Sequence, residues 1–361
     1  MTGPRFMTLA PECRCPAEAT SMPGAPGNHL IRLTDQGEKR NFMTKAETIA
    51  THRNFVELTY GTRYDPQDQT MYCAFSEGFF ANCTVALWNV TDVARRFGHY
   101  PTRLDFSEGF SQYRQNSTDP LASQDLYPVF FQCNRSYLPP LNVSPPAINI
   151  DHHGIYQSNN FDYYVPLIKA YFSPSDRVTK LSNRLQDKYK IDLTKTVLVW
   201  YRGTDKRSEV WVASPQAYLK QVEAILDAHP DFKVWIQTEE QHVREQFREH
   251  FGARCIIIDE LPPSSVGGNV YKLPPSEANI DRLDLAITML ALVTLGARAK
   301  FIVTHTGNIA FWICLYRGHT RSVLQFDRHG ILFGLTDIKK YWWKLRRRLL
   351  RGGSMTKSRT T

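Results

Sequence analysis

No stretch of this chain comes near the roughly 20 consecutive apolar residues that a membrane-spanning helix needs. Repeats and low-complexity tracts are missing too. With 42% hydrophobic and 22% charged residues, and 20 Gly and 21 Pro among 361, the composition excludes a collagen, a coiled coil and a largely disordered chain. Cysteine is scattered without a pattern. Seven residues (Cys13, Cys15, Cys73, Cys83, Cys133, Cys255 and Cys314) include no C-x-x-C pair, so neither a disulfide framework nor a zinc site is encoded. Cys83 and Cys314 sit in apolar helical patterns and are expected to be small buried hydrophobes. The N-terminus shows no charged region followed by an apolar core, which makes a reducing cytoplasm the expected compartment. The five Asn-X-Ser/Thr sequons, at Asn82, Asn89, Asn116, Asn134 and Asn142, are accordingly expected to be chance.

Acidic residues are absent from positions 339–361, which hold nine Lys and Arg. Those nine account for the whole formal charge of +9, because setting them aside from the 44 basic residues leaves 35 to face 35 acidic ones. The body of the protein is neutral, and its overall basicity gives no ground for a nucleic-acid partner. Within the tail, Asp337–Arg351 places Ile338, Tyr341, Trp342, Leu345 and Leu349 on one helical side with cations around them. Such a helix can lie on anionic lipid, each cation near the surface adding about 1 kcal/mol. It can equally dock its tryptophans on the body of the protein. Peripheral membrane association through 337–351 and docking on the body are thus the two leading expectations for the tail, with RNA binding third.

Three nucleotide signatures are also missing. Without G-x-x-x-x-G-K-[ST] the chain is not a P-loop NTPase, and without G-x-G-x-x-G a dinucleotide redox cofactor is disfavoured. There is no D-x-D triplet, the usual carboxylate pair that holds a divalent metal under a nucleotide diphosphate. A bound diphosphate would therefore be balanced by arginine and backbone amides, with no metal and no cofactor.

Residues 1–44 contain five prolines and read as an irregular segment. Downstream, Met71–Phe75 and Leu104–Phe106 read as short strands, and Gly78–Phe97 as a helix with apolar faces. After the proline-rich connection at 138–146 come helices at Tyr164–Tyr171 and Val178–Tyr189. At Thr196 the pattern changes. Thr196–Tyr201, Phe232–Gln237, Cys255–Ile258, Phe301–Thr304 and Ser322–Phe326 are β-rich runs. Helical stretches at Pro215–His229 (capped by Ser214), Glu240–Phe251, Ile280–Ala297 and Asn308–Tyr316 separate them. Thr196–Tyr201 is continuously apolar, as a strand buried on both faces must be. Strand–helix alternation at this spacing predicts βαβ units and a parallel sheet, with ligands beyond the carboxyl ends of its strands.

Three clusters fall at those ends. Arg202-Gly203-Thr204-Asp205-Lys206 follows the first strand. A guanidinium fork beside a glycine suits a diphosphate, although Arg202 and Asp205 could instead pair to close a turn. His305-Thr306-Gly307-Asn308 leads into a helix whose N-terminus favours phosphate, or forms an ordinary Thr/Asn cap. Thr238-Glu239-Glu240 could accept from ribose hydroxyls or a base, or serve as first-turn acids. His152 and His153, in the connecting segment, make poor joint metal ligands and have a loop role or a place in the cleft.

The Arg202–Lys206 segment resembles the arginine motif of the GDP-fucose-dependent fucosyltransferase superfamily. That group takes in the α1,6-fucosyltransferases, including the rhizobial nodulation enzyme, and the peptide O-fucosyltransferases. The Thr238–Glu240 strand end and Phe301–Asn308 fall in the order of that family's later motifs. The resemblance spans roughly residues 196–326 and implies an α/β fold of GT-B type, two Rossmann-like domains facing a cleft, the C-terminal one with a parallel sheet. The division it implies is an acceptor-side domain at 45–192, a nucleotide-sugar-binding domain at 193–336 and the basic tail at 337–361. It also implies inverting, metal-independent transfer of fucose from GDP-fucose to a glycan or glycoconjugate hydroxyl. In that scheme Arg202 holds the β-phosphate, with Gly203, Thr204, Asp205 and Lys206 beside it. Thr238, Glu239, His305, Thr306, Gly307 and Asn308 line the donor. Glu209 is the candidate base, one residue short of the glutamate of the α1,6 members. Two further departures are Gly203, where the family has a second arginine or similar residue, and Trp200, where it has a histidine. Asp284 is the candidate for the nucleobase-side acid. Set against the enzyme is a catalytically silent nucleotide-sugar- or phosphate-binding module tethered by its basic tail.

Overall fold

The computed structural model describes residues 54–75, 77–114, 124–141, 152–203, 207, 209–263 and 281–334. The irregular N-terminal segment, the basic tail and Thr204–Lys206 lie outside them.

The first half opens with three short strands, β1 (Val56–Glu57), β2 (Arg63–Asp65) and β3 (Thr70–Tyr72), followed by the long helix α1 (Phe79–Phe97) and β4 (Arg103–Asp105). They form a four-stranded sheet in the order β1-β2-β3-β4, antiparallel except for the β3–β4 pair. Helix α1 is buried around most of its circumference, so its polar residues must find partners inside. Asp92 takes Arg95 at 2.6 Å and Arg96 at 2.7 Å. Gly98, with φ 68°, ends the helix in the left-handed conformation that a residue with Cβ resists. Asn82 and Asn89, two of the sequon asparagines, are buried on this helix and engaged in hydrogen bonds.

The short helix α2 (Tyr127–Phe130) and β5 (Phe131–Gln132) lead to α3 (Phe161–Tyr171), β6 (Ser173–Pro174) and α4 (Asp176–Lys188). From Thr196 the expected alternation appears: β7 (Thr196–Trp200), α5 (Pro215–Ala228), β8 (Lys233–Gln237), α6 (Gln241–Phe251) and β9 (Cys255–Ile257). It continues with α7 (Arg282–Gly296), β10 (Phe301–His305), α8 (Asn308–Arg317), β11 (Val323–Phe326) and β12 (Leu332–Gly334). Ser214 caps α5, its side chain accepting from the Ala217 amide as the sequence suggested. The protein is α/β. Its six-stranded sheet runs β12-β11-β10-β7-β8-β9 and is parallel throughout except for β12, an antiparallel edge strand too short to show a sequence pattern.

Alternate residues of each central strand enter different cores. Val197, Val199 and Val234 join the core under α5 and α6. Leu198, Trp200 and Trp235 join the one that holds α7 and α8. That second core continues without interruption into the first half of the chain, taking in α1, Phe79 and Phe110. Between the halves, Phe80 of α1 lies 5.7 Å from Trp312 of α8, whose indole donates to the Thr84 hydroxyl at 2.9 Å. Cys83 and Cys314 are fully buried, and burial pushes both thiols up. Among the described residues no helix is long and apolar enough to cross a membrane.

Candidate functional site

In the strand order, the chain steps from β7 outward to β8 and β9, then returns to the other side of β7 with β10 and β11. The reversal lies between β7 and β10, where connections leave the sheet in opposite directions and open a crevice at the carboxyl edge. Arg202 lies two residues beyond β7, Glu239 two beyond β8, and Asn308 begins α8 just after β10.

A cavity of about 560 Å³ occupies this crevice. Arg202, Glu209, Glu239, Asn308, Ile309 and His152 line it from the sheet side, and residues near the N-terminus of α1 close it opposite. Thr238 lines a smaller recess next to Arg202 and Glu239. Of the predicted site residues, the cavity thus gathers Arg202, Glu209, Glu239 and Asn308. Among the described residues that line it, Arg202 carries the one guanidinium and there is no ammonium.

The two glycines have different duties. A Cβ on Gly203 would meet Glu240 Oε1 at 2.3 Å and the Tyr201 hydroxyl at 2.8 Å, so the chain turns off β7 in a space that only hydrogen fits. Gly307, at φ 145°, makes the bend from β10 into α8. Its amide donates to the His152 carbonyl at 3.0 Å and reaches the Tyr156 hydroxyl at 2.8 Å. The Thr306 hydroxyl donates to the same His152 carbonyl at 2.9 Å. His305 is buried, with Nδ1 against the Thr306 carbonyl. His305, Thr306 and Gly307 therefore shape the strand end and do not line the cavity; the position that reaches it is Asn308, held within 2.9 Å of Thr84 Oγ1.

Thr238 is buried, with its hydroxyl accepting from the Glu240 amide at 3.1 Å. Its carbonyl accepts from Arg244, and burial holds that guanidinium below its usual range. Glu239 turns toward the cavity, whereas Glu240 points under Gly203 with His242 3.4 Å from its carboxylate. Glu209 stands at the cavity wall, nearly half exposed, with Oε2 4.0 Å from His153 Nε2. Of the two places open to the histidines, the structure gives His152 the cleft.

Two residues change standing. Asp284 does not approach the cavity: it is 60% exposed on α7 and paired with Arg177 at 2.5 Å, because the first turn of that helix faces α4 and solvent. Tyr113, which the sequence did not single out, lines the cavity, and its hydroxyl accepts from the Phe79 amide at the start of α1 at 2.8 Å. Burial pushes its phenol up, while the nearby Arg202 charge pulls the other way. Among the described residues no group of three or more His, Cys, Asp or Glu could hold a metal ion.

No family model matches the chain, and no curated protein does. Among solved structures it is similar to the NodZ α-1,6-fucosyltransferase soaked with GDP-fucose, at 14% identity over 73% of this chain and 97% of that one, TM-score 0.44. It is also similar to the fucosyltransferase NodZ from Bradyrhizobium, at 16% identity over the same shares, TM-score 0.41. Apo POFUT1 matches at 12% identity over 48% of this chain, TM-score 0.33, and the chain spans about half of that protein's length.

Proposed function

We propose that this protein is a metal-independent glycosyltransferase of GT-B organisation that transfers fucose, with inversion, from GDP-fucose to a hydroxyl of a glycan or glycoconjugate. The observation that carries the proposal is the position of Arg202. Among the described residues that line the cavity it carries the one guanidinium, it stands at the reversal point of the sheet, and the first turn of α8 lines the same cavity.

A diphosphate leaving group develops charge as the sugar–oxygen bond breaks. Arg202 can take two of its oxygens in a bidentate grip, and the first-turn amides of α8 have no partners within the helix. Preorganised donors of this kind are commonly the largest electrostatic contribution to such a step. Glu239, at the end of β8, is placed to accept from the hydroxyls of the nucleoside. On the acceptor side, the acceptor oxygen forms its bond to the anomeric carbon, the carbon–phosphate oxygen bond breaks, and the acceptor proton passes to the Glu209 carboxylate. The products are the glycoside, GDP and a protonated Glu209 that returns its proton to water.

The test is incubation of the full chain with GDP-fucose and excess EDTA, following GDP release with and without saccharide acceptors. Release that survives EDTA is expected. Turnover that depends on added Mn²⁺ or Mg²⁺ overturns the metal-independent mechanism, and tight binding of GDP without any turnover assigns the chain to the silent binding module instead.

A further inference from the structure

Tyr60 has φ 57° and ψ 44°, a left-handed backbone that a residue with a side chain adopts only under constraint. The constraint is Asn89, fully buried on α1. Its Oδ1 accepts from the Thr59 amide at 3.2 Å and the Thr59 hydroxyl at 2.9 Å, and its Nδ2 donates to the Thr59 carbonyl at 3.1 Å. One buried amide, with three hydrogen bonds, holds the 59–61 turn in its strained form. The strain does not serve to bury the tyrosine. The Tyr60 ring is 57% exposed and stands on the cavity wall, 5.4 Å from Phe75 and 6.0 Å from Trp88, both of which also line the cavity.

The wall built by the first half of the chain thus carries six aromatic residues, with Tyr60, Phe75 and Trp88 grouped together, the Glu77 carboxylate and the Gln112 amide, and, among the described residues, no cation. Phosphate does not suit such a surface, since Glu77 would repel it. A pyranose suits it well: the C–H face of the ring lies on an aromatic face, while its hydroxyls need a carboxylate and an amide around them. The anionic part of a donor belongs on the opposite wall with Arg202. What is left to the aromatic wall is an uncharged sugar.

We infer that Tyr60, Phe75 and Trp88 form a subsite for an uncharged oligosaccharide, one pyranose ring stacking on Tyr60. Naming that saccharide the acceptor rests on the donor assignment at Arg202; the stacking itself does not. The strained turn is what aims the ring, so Asn89 is its positioning residue.

The test uses tetramers of glucose (β1,4- and α1,4-linked), mannose and N-acetylglucosamine at millimolar concentration, with binding read by saturation-transfer NMR on the full chain. A parallel thermal-shift assay with GDP reports the donor site. Tyr60→Gly removes the ring and relieves the backbone, so its melting temperature should equal or exceed that of the parent. At least one tetramer is expected to bind, with saturation concentrated on one face of a ring. Its affinity should fall at least tenfold in Tyr60→Gly, while the GDP shift is retained. The subsite is overturned if no tetramer binds the parent, if Tyr60→Gly binds as the parent does, or if Tyr60→Gly abolishes the GDP shift, since the ring then stacks on the base. A parent that binds tetramers through Tyr60 but is never stabilised by GDP loses the donor assignment and keeps the saccharide site.

Discussion

The hydroxyl of Tyr156 lies 2.8 Å from the Gly307 amide nitrogen and 2.9 Å from the Gly307 carbonyl oxygen. A single phenol, fully buried, therefore clamps both polar groups of the residue that turns β10 into α8. Its own amide donates to Gln325 Oε1 at 3.0 Å, and Gln325 returns a bond to the Gly154 carbonyl at 2.8 Å, tying the 152–156 segment to β11. Removing the hydroxyl in Tyr156→Phe leaves the Gly307 amide to the His152 carbonyl and the Gly307 carbonyl to the Phe311 amide. The expected loss is about 1 kcal/mol of stability in urea unfolding, with a fall in GDP affinity as the first turn of α8 loosens. Parent-like behaviour in both would mean that the clamp is dispensable.

Arg202→Ala should lower turnover at least about a hundredfold, the cost of losing one preorganised charge donor, with the melting temperature little changed. Arg202→Lys should recover only part of that loss, because an ammonium supplies the charge without the fork. Steady-state kinetics on both variants settle the matter, and near-normal turnover in the alanine variant would remove the phosphate role.

Gly203→Ala brings a methyl against two neighbours. The Glu240 carboxylate can swing aside, but the Tyr201 ring is buried and cannot, with its hydroxyl 2.8 Å and its Cε1 3.0 Å from the added carbon. Overpacking of this kind costs about 1–3 kcal/mol. The adjacent Arg202 should move as the backbone gives way, so the thermal shift produced by GDP is expected to shrink along with the melting temperature. A stable variant with an undiminished GDP shift would count against this geometry.

His319 gives a pH-dependent outcome. Burial, followed by the charges of Arg317 and Arg321, holds its imidazole below the ordinary value of 6.5. The unfolded chain then binds the proton more readily than the native one, so stability is complete above about pH 6.5 and declines as the pH falls through and below that value. His319→Gln should flatten the decline between neutral pH and pH 5.5. Equal acid sensitivity in the two proteins would show that other groups set it.

Much of this architecture could be read from residue order alone. Val197–Trp200 and Val234–Ile236 stand out because strands buried on both faces are continuously apolar, and α1 stands out because nineteen residues lack a breaker. Arg202 was legible for the same reason, as a charge directly off a buried strand. Short pieces were not. β1 and β2 have two and three residues, too few for a period, and β12 declares itself only by pairing with β11. Thr306 and Gly307 look like phosphate ligands in sequence, but partners 154 and 151 residues away take up the hydroxyl of the first and the amide of the second. Asp284 could not be told from a site acid until its helix acquired an orientation. The aromatic wall was hidden because the φ of Tyr60 is set by the hold of Asn89 on Thr59, thirty residues earlier.

The uninterrupted packing from α1 into α8 bears on how substrates come and go. Were the two halves to part like the shells of a clam, Trp312 would be wetted along with Phe80 and Phe172, its neighbours at 5.7 and 5.0 Å. At about 25 cal/mol per Å² over the roughly 150–250 Å² that one aromatic side chain buries, each ring would forfeit several kcal/mol. Among the described residues, parting at this seam is thus the costly way to open the crevice, and side chains at its rim can turn without breaking the Trp312 packing.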